Sequence, residues 1–374
     1  IIKDRNFSPR RHRDRREKSF SKLRALGASA VKLIQVRRTE DSSPRRHRGC
    51  REKRFCELRS LCAAAAIVIL FLCSIGIGAA PAAEPGRERV LIGVSSKSIG
   101  FFDAWAGHEK GFFRKHGIDS DVITIRPNLS VVALHAGEID YSWMTGTVIR
   151  AAAKGIPLKL VTIGLKSSFH TLVARPNFQS ITELRGKKIA ISNIGATDDL
   201  VARALLQKAG LDPRGDVAVM SMGGSETRYQ ALHTGQMDAA TLSLPHSVIA
   251  KQQGFRFLGS AGDVLQIPFT GISTTAAKIQ RNREQVKRMI QAQIDAMHWI
   301  KSQKAEAIRF VRDFFHTDEA TALESYNIYV PLIVEDVRVS AGAVKAVLEA
   351  EGGANVSWEQ VADPSLVDEV LKKK

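Results

Sequence analysis

Five short segments place serine, threonine and glycine just ahead of predicted helices: Ser95-Ser-Lys-Ser-Ile-Gly-Phe101, Trp143-Met-Thr-Gly-Thr147, Ser192-Asn-Ile-Gly-Ala-Thr197, Gly223-Gly-Ser225 and Ser243-Leu-Pro245. A helix N-terminus offers unpaired backbone N–H groups and a partial positive charge, so such segments can hold carboxylate, sulfonate or similar oxygens without a buried arginine. The same residues are also ordinary helix caps, and the weight rests on several of them meeting at one edge. The candidate ligand contacts are Ser96, Ser98, Phe101, Trp143, Thr145, Gly146, Thr147, Asn193, Gly195, Ala196, Thr197, Ser225, Ser243 and Pro245. Phe101 and Trp143 add apolar faces on which a flat ring can stack, whereas Phe102 reads as core. No obvious arginine clamp accompanies them.

Catalytic patterns are missing from the chain. It has no His-Glu-x-x-His pair, no Gly-x-Ser-x-Gly elbow and no Gly-x4-Gly-Lys-Ser/Thr phosphate loop after a strand. His135 and His233 occupy equivalent repeat positions on helix ends, which suggests structure, and Asp198-Asp199 read as first-turn residues complementing a helix dipole. Cys50, Cys56, Cys62 and Cys73 all precede Ala83, so a chain beginning there has no disulfide, thiolate nucleophile or cysteine metal site. Neither metal nor cofactor is expected.

The elements that would position these residues follow a repeat. Ala133-Leu-His-Ala-Gly-Glu-Ile-Asp140 returns as Ala231-Leu-His-Thr-Gly-Gln-Met-Asp238, 98 residues later. Apolar runs at Val90–Val94, Val122–Ile125, Leu158–Ile163, Lys188–Ser192, Val217–Met220 and Phe255–Leu258 alternate with helical stretches, which argues for α/β architecture with parallel sheets wrapped on both faces. Ile272–Thr274 reads as a strand returning to the first lobe, and the helices after it complete that lobe. Two lobes follow: residues 83–172 with 270–374, and residues 173–269. In open parallel sheets a ligand sits beyond the C-terminal strand ends, where the five segments fall.

Upstream of the lobes the composition changes. Residues 1–60 carry 20 Lys/Arg and 7 Asp/Glu, leaving 35 and 31 for the rest, so the strongly basic character belongs to this segment. It is expected to be disordered, or a non-native upstream extension. The first Met is Met144, and residues 8–26 recur at 43–61 with 13 of 19 positions identical. A nucleic-acid-binding arm is the competing reading, disfavoured because an export signal follows it. Arg51, Lys53, Arg54 and Arg59, then the uncharged run from Leu61, then Ala80-Pro81-Ala82, read as a secretory signal in residues 61–82 cut after Ala82. A retained membrane anchor is the alternative, and Gly76, Gly78 and Pro81 argue against it.

Further segments carry a family resemblance: His108-Glu-Lys-Gly-Phe-Phe-Arg-Lys-His-Gly-Ile-Asp119, Ala133 to Asp140, Gly146 with Ala151-Ala-Ala-Lys-Gly-Ile-Pro157, Glu183-Leu-Arg-Gly-Lys-Lys-Ile-Ala190, and Tyr229 to Asp238. The chain resembles the periplasmic solute-binding proteins of ABC importers for nitrate, sulfonates, taurine and pyrimidine precursors of thiamine. The resemblance implies a two-lobed periplasmic-binding-protein fold of type II, hinged near Phe169–Val173 and Phe269–Ile272. It implies a soluble, monomeric periplasmic receptor that closes on a small molecule and delivers it to an ABC transporter permease, with no enzymatic activity. A membrane-tethered sensor domain reporting to a partner is the alternative, and an enzyme on the same scaffold a weaker one.

Overall fold

The computed structural model describes residues 86–350 and 356–372. The expectations for the basic segment, the secretory signal and the cleavage after Ala82 lie outside the described residues.

Among the described residues, ten strands form two five-stranded sheets. They are β1 Glu88–Val94, β2 Ile118–Thr124, β3 Tyr141–Met144, β4 Leu158–Leu160, β5 Thr171–Ala174, β6 Lys188–Ile191, β7 Ala218–Ser221, β8 Ala239–Leu242, β9 Arg256–Ser260 and β10 Thr270–Thr275. The first sheet runs β2-β1-β3-β10-β4 and the second β7-β6-β8-β5-β9. Within each, the inner strand pairs in parallel with two neighbours, β1 with β2 and β3, β6 with β7 and β8. One strand in each sheet is antiparallel to its neighbours: β10 against β3 and β4, and β5 against β8 and β9. The apolar runs are short and nearly continuous because helices cover both faces of each sheet. The fold is α/β, with two mixed, mostly parallel sheets.

The two antiparallel strands are where the chain crosses between sheets. Their approaches lie side by side: Gly164 N donates to Thr270 O at 2.7 Å, Phe269 N to Leu165 O at 3.0 Å, and Ala261 N to His170 O at 2.8 Å. Gly271 is required here, since a Cβ would stand 2.0 Å from the Thr162 carbonyl oxygen. Of the residues in these contacts, His170, Phe269 and Thr270 belong to the segments Phe169–Val173 and Phe269–Ile272.

After β10 the chain turns helical. The helix Arg283–Ser302 buries Val286, Met289, Ile290, Ile294 and Met297, the stripe expected from their spacing. Further on, the helix Glu319–Tyr329 is capped by Asp318, whose carboxylate accepts from Thr321 N at 2.8 Å. It reaches the helix His246–Gln252 of the second lobe through Lys251–Glu324, at 2.9 Å, and Thr321 Oγ1 donating to Gln252 Oε1 at 2.9 Å. Leu244 and Val248 join Phe101 and Tyr329 in one apolar cluster, so this side of the molecule is a packed seam.

Candidate functional site

The C-terminal ends of β1, β3 and β6 and the starts of the helices after them converge between the two sheets. They enclose a narrow cavity of about 30 Å³, lined from the first lobe by Ser95, Ser96, Ser98, Phe101, Pro127, Met144 and Thr147. The second lobe contributes Ser192, Ala196, Thr197, Asp198, Gly223, Gly224 and Arg228, and the crossing segments contribute His170 and Phe269. Ligand pockets usually span about 300–1,000 Å³, so with the lobes in this position only a small group fits between them.

Of the sequence candidates, Ser96, Ser98, Phe101, Thr147, Ala196 and Thr197 line the cavity. Trp143, Thr145, Gly146, Asn193, Gly195, Ser225, Ser243 and Pro245 do not. Trp143 is fully buried; its indole N–H donates to Asp103 Oδ2 at 2.8 Å and its ring meets Phe113 edge-on. Strand alternation puts Trp143 and Tyr141 on the core face and leaves Met144 for the cavity. Thr145 is fully enclosed. Ser225 and Ser243 satisfy each other, Ser243 N donating to Ser225 Oγ at 3.0 Å. Asn193 donates to the Ile194 carbonyl at 3.1 Å, and Pro245 precedes the helix His246–Gln252. Gly146 and Gly195 sit where the lobes touch.

The helices opening at Ile99, Thr145, Thr197 and Ser225 carry no side-chain cap hydrogen bond. In the tail, Thr275, Asp318 and Ser340 each cap a helix with their side chains. The cavity-facing N-termini thus leave backbone donors for another acceptor.

Sequence reasoning missed the charged floor of the site. Arg228, on the helix Ser225–His233, is buried; Nε donates to Thr241 O at 2.7 Å, Nη1 to Gly223 O, and Nη2 lies 3.7 Å from Asp198 Oδ2. Asp198 accepts from Ser192 N at 2.7 Å, from Thr241 Oγ1 at 2.8 Å, and from Ser192 Oγ. Burial alone would raise the Asp198 carboxyl, but Arg228, then His170 and the Ser192 donors, hold it below the ordinary carboxylate value. Burial draws Arg228 down while Asp198 opposes that shift, and a guanidinium stays charged in proteins. Asp198 is therefore the carboxylate of a buried ion pair as well as a first-turn residue, and an arginine does stand in the wall. Asp199 keeps the local role, accepting from Gly195 N at 2.8 Å and from Arg203 Nε at 2.8 Å.

His170 completes this wall. Burial pushes its imidazole down to about 4, Asp198 opposing, so the ring is neutral at neutral pH. It lies edge-on to Phe269 with centroids 5.0 Å apart, and Nδ1 is 2.7 Å from Ser168 Oγ. Since the Arg228 and Asp198 charges balance, the net positive potential comes from the helix N-termini. The arrangement can bind a small group rich in acceptors. Among the described residues no cluster of His, Cys, Asp or Glu could hold a metal ion.

Trp143→Phe tests the separation of core from cavity. Loss of the indole donor leaves the buried Asp103 carboxyl, already raised by burial, with one partner fewer. The expected cost is about 1–2 kcal/mol of stability by urea titration with any bound solute retained. A loss of binding without a loss of stability would return Trp143 to the site.

A Brucella abortus protein named only as a binding protein is 31% identical over 222 residues, 57% of this chain and 67% of the relative. SsuA of Xanthomonas axonopodis pv. citri, an alkanesulfonate-binding protein solved with MOPS, superposes with a TM-score of 0.60 at 18% identity, covering 77% of this chain and 99% of that one. The periplasmic nitrate-binding protein NrtA from Synechocystis PCC 6803 superposes at 0.64 with 14% identity, covering 77% and 89%. At these identities the two structures attest the fold alone. The sequence profile of the NMT1/THI5-like family matches residues 99–307, more than half the chain. With its two sheets, crossing strands and interlobe cavity, the chain belongs to the NMT1/THI5-like family.

Proposed function

We propose that this protein is a periplasmic solute receptor that captures a small molecule between its lobes and passes it to the permease of an ABC importer. The observation that carries this reading is the cavity itself, walled by both lobes and fronted by helix N-termini without side-chain caps. A ligand touching both walls binds the closed arrangement better than the open one, and that difference in affinity is what drives closure. The names of the relative and of the SsuA and NrtA neighbours support binding over catalysis. No described helix is long and apolar enough to cross a membrane.

The chemistry favours a compact head bearing acceptor oxygens or ring nitrogens. Asp198, saturated by its donors and offset by Arg228, does not repel an anion, while Phe101 and Phe269 supply apolar wall against a ring or short chain. Nitrate, sulfonates, carboxylates and neutral heteroaromatics all meet these terms.

Native mass spectrometry of the protein purified with its endogenous ligand tests the reading. A small adduct is expected, absent from a Thr197→Trp variant whose side chain fills the cavity. An adduct that persists in that variant, or turnover of the bound compound, would overturn it. A secreted form whose mass begins at Ala83 is the matching expectation for export, and a full-length chain retained in the membrane would contradict it.

A further inference from the structure

Away from the packed seam, a buried cation also joins the lobes. Arg150 lies on the first-lobe helix Thr145–Ala153 and is almost fully enclosed. Its Nη2 donates to the Gly195 carbonyl oxygen of the second lobe at 2.5 Å and to Thr147 Oγ1 at 3.3 Å. Thr147 lines the cavity, and Gly195 leads directly into the lining residues Ala196 and Thr197. The approach is close because residue 146 is glycine: a Cβ there would stand 3.1 Å from Arg150 Nη1 and 3.1 Å from Thr197 Oγ1.

We propose that Arg150 is a latch: a positioning residue that sets the closed fraction of the two lobes without lining the ligand cavity. The inference rests on the reading of the protein as a receptor whose lobes move. Only when the lobes are together does the guanidinium reach the Gly195 carbonyl, so this charge-assisted bond contributes to the closed arrangement alone. It also gives Thr147 Oγ1 a donor, leaving the hydroxyl proton of Thr147 for an acceptor in the cavity.

Pulsed electron spin resonance on the full-length chain tests the latch. Cys50, Cys56, Cys62 and Cys73 are replaced by serine, and spin labels are placed at Val132→Cys and Met220→Cys, exposed positions on the two lobes. Relative to the parent, Arg150→Ala is expected to lower the ratio of short to long interlobe distances about tenfold, the effect of one hydrogen bond from a charged donor. Arg150→Lys, which keeps the charge and a donor, is expected to restore part of it. Gly146→Ala, whose added methyl presses on both the guanidinium and Thr197 Oγ1 while leaving Arg150 itself in place, is expected to shift the distances the same way. Should Arg150→Ala fail to fold, the Lys and Gly146→Ala variants decide. A parent that samples both distances and is unmoved by any variant overturns the latch alone. A single narrow distance that no variant changes overturns the moving-lobe reading itself.

Discussion

Arg228→Met is expected to lower the melting temperature by roughly 10 °C, from a loss of about 3–5 kcal/mol, and to abolish solute binding. Methionine fills similar volume but leaves the Asp198 carboxylate buried beside nothing cationic, and it removes the donors to the Thr241 and Gly223 carbonyls. Asp198→Asn alone is also expected to destabilise, because it strands a buried guanidinium. The double variant is expected to recover much of the loss, since removing both charges also removes the desolvation penalty of each. Arg312→Met serves as the comparison: its pairs with Asp313 and Glu319 are solvent-exposed, and the melting temperature is expected to be nearly unchanged. Melting curves of the four variants check this. Equal losses at Arg228 and Arg312 would show that the buried pair has no special standing.

Stability is expected to fall in two stages as the solution is acidified. Burial pushes both His170 and His246 down to about 4 from 6.5. The unfolded chain therefore takes up these protons first, and each histidine subtracts about 2–3 kcal/mol as pH drops from roughly 6.5 to 4.5, with the slope flattening below about 4. Asp198 acts later. Its folded pKa is depressed, so its contribution is present above the ordinary carboxylate value and is lost only as pH falls through the lowered one. Urea titrations across this range check the order, and His170→Phe is expected to remove roughly half of the first stage. A flat profile between about pH 7 and 5 would mean that the rings are not buried neutral.

The repeat explains both what was legible in the sequence and what was not. Serine and threonine at strand ends announced Ser96, Ser98, Thr147 and Thr197 as cavity lining, because those types at those places follow from backbone rules alone. The offset of 98 residues also pairs Trp143 with Thr241, and Asp103 and Asp198 each stand second in a helix. Each aspartate accepts from its strand partner, at 2.8 Å in both lobes. In the second lobe the short threonine leaves the carboxylate facing the cavity. In the first lobe the indole seals it into the core, which is why Trp143 was misjudged as a cleft residue. The same offset pairs Arg228 with Ser130, whose hydroxyl meets Ser142 Oγ at 3.1 Å. A charge at 228 against a hydroxyl at 130 was the available signal, but only packing shows that the guanidinium turns under the strand ends. His170 and Phe269 escaped for another reason: they belong to crossing segments, whose apolar residues look like any strand approach until the two lobes come together.

The placement of β10 also governs the order of assembly. It lies between β3 and β4, in the interior of the first sheet, yet it is read out after every strand of the second. The second sheet, by contrast, draws all its strands from one uninterrupted stretch, Thr171 to Ser260. During synthesis the later lobe can therefore finish before the earlier one, which must wait with an unzipped centre until residue 275 has emerged. A polypeptide whose N-terminal half cannot consolidate early stays extended for longer, the condition in which a chain can still be threaded through a narrow channel.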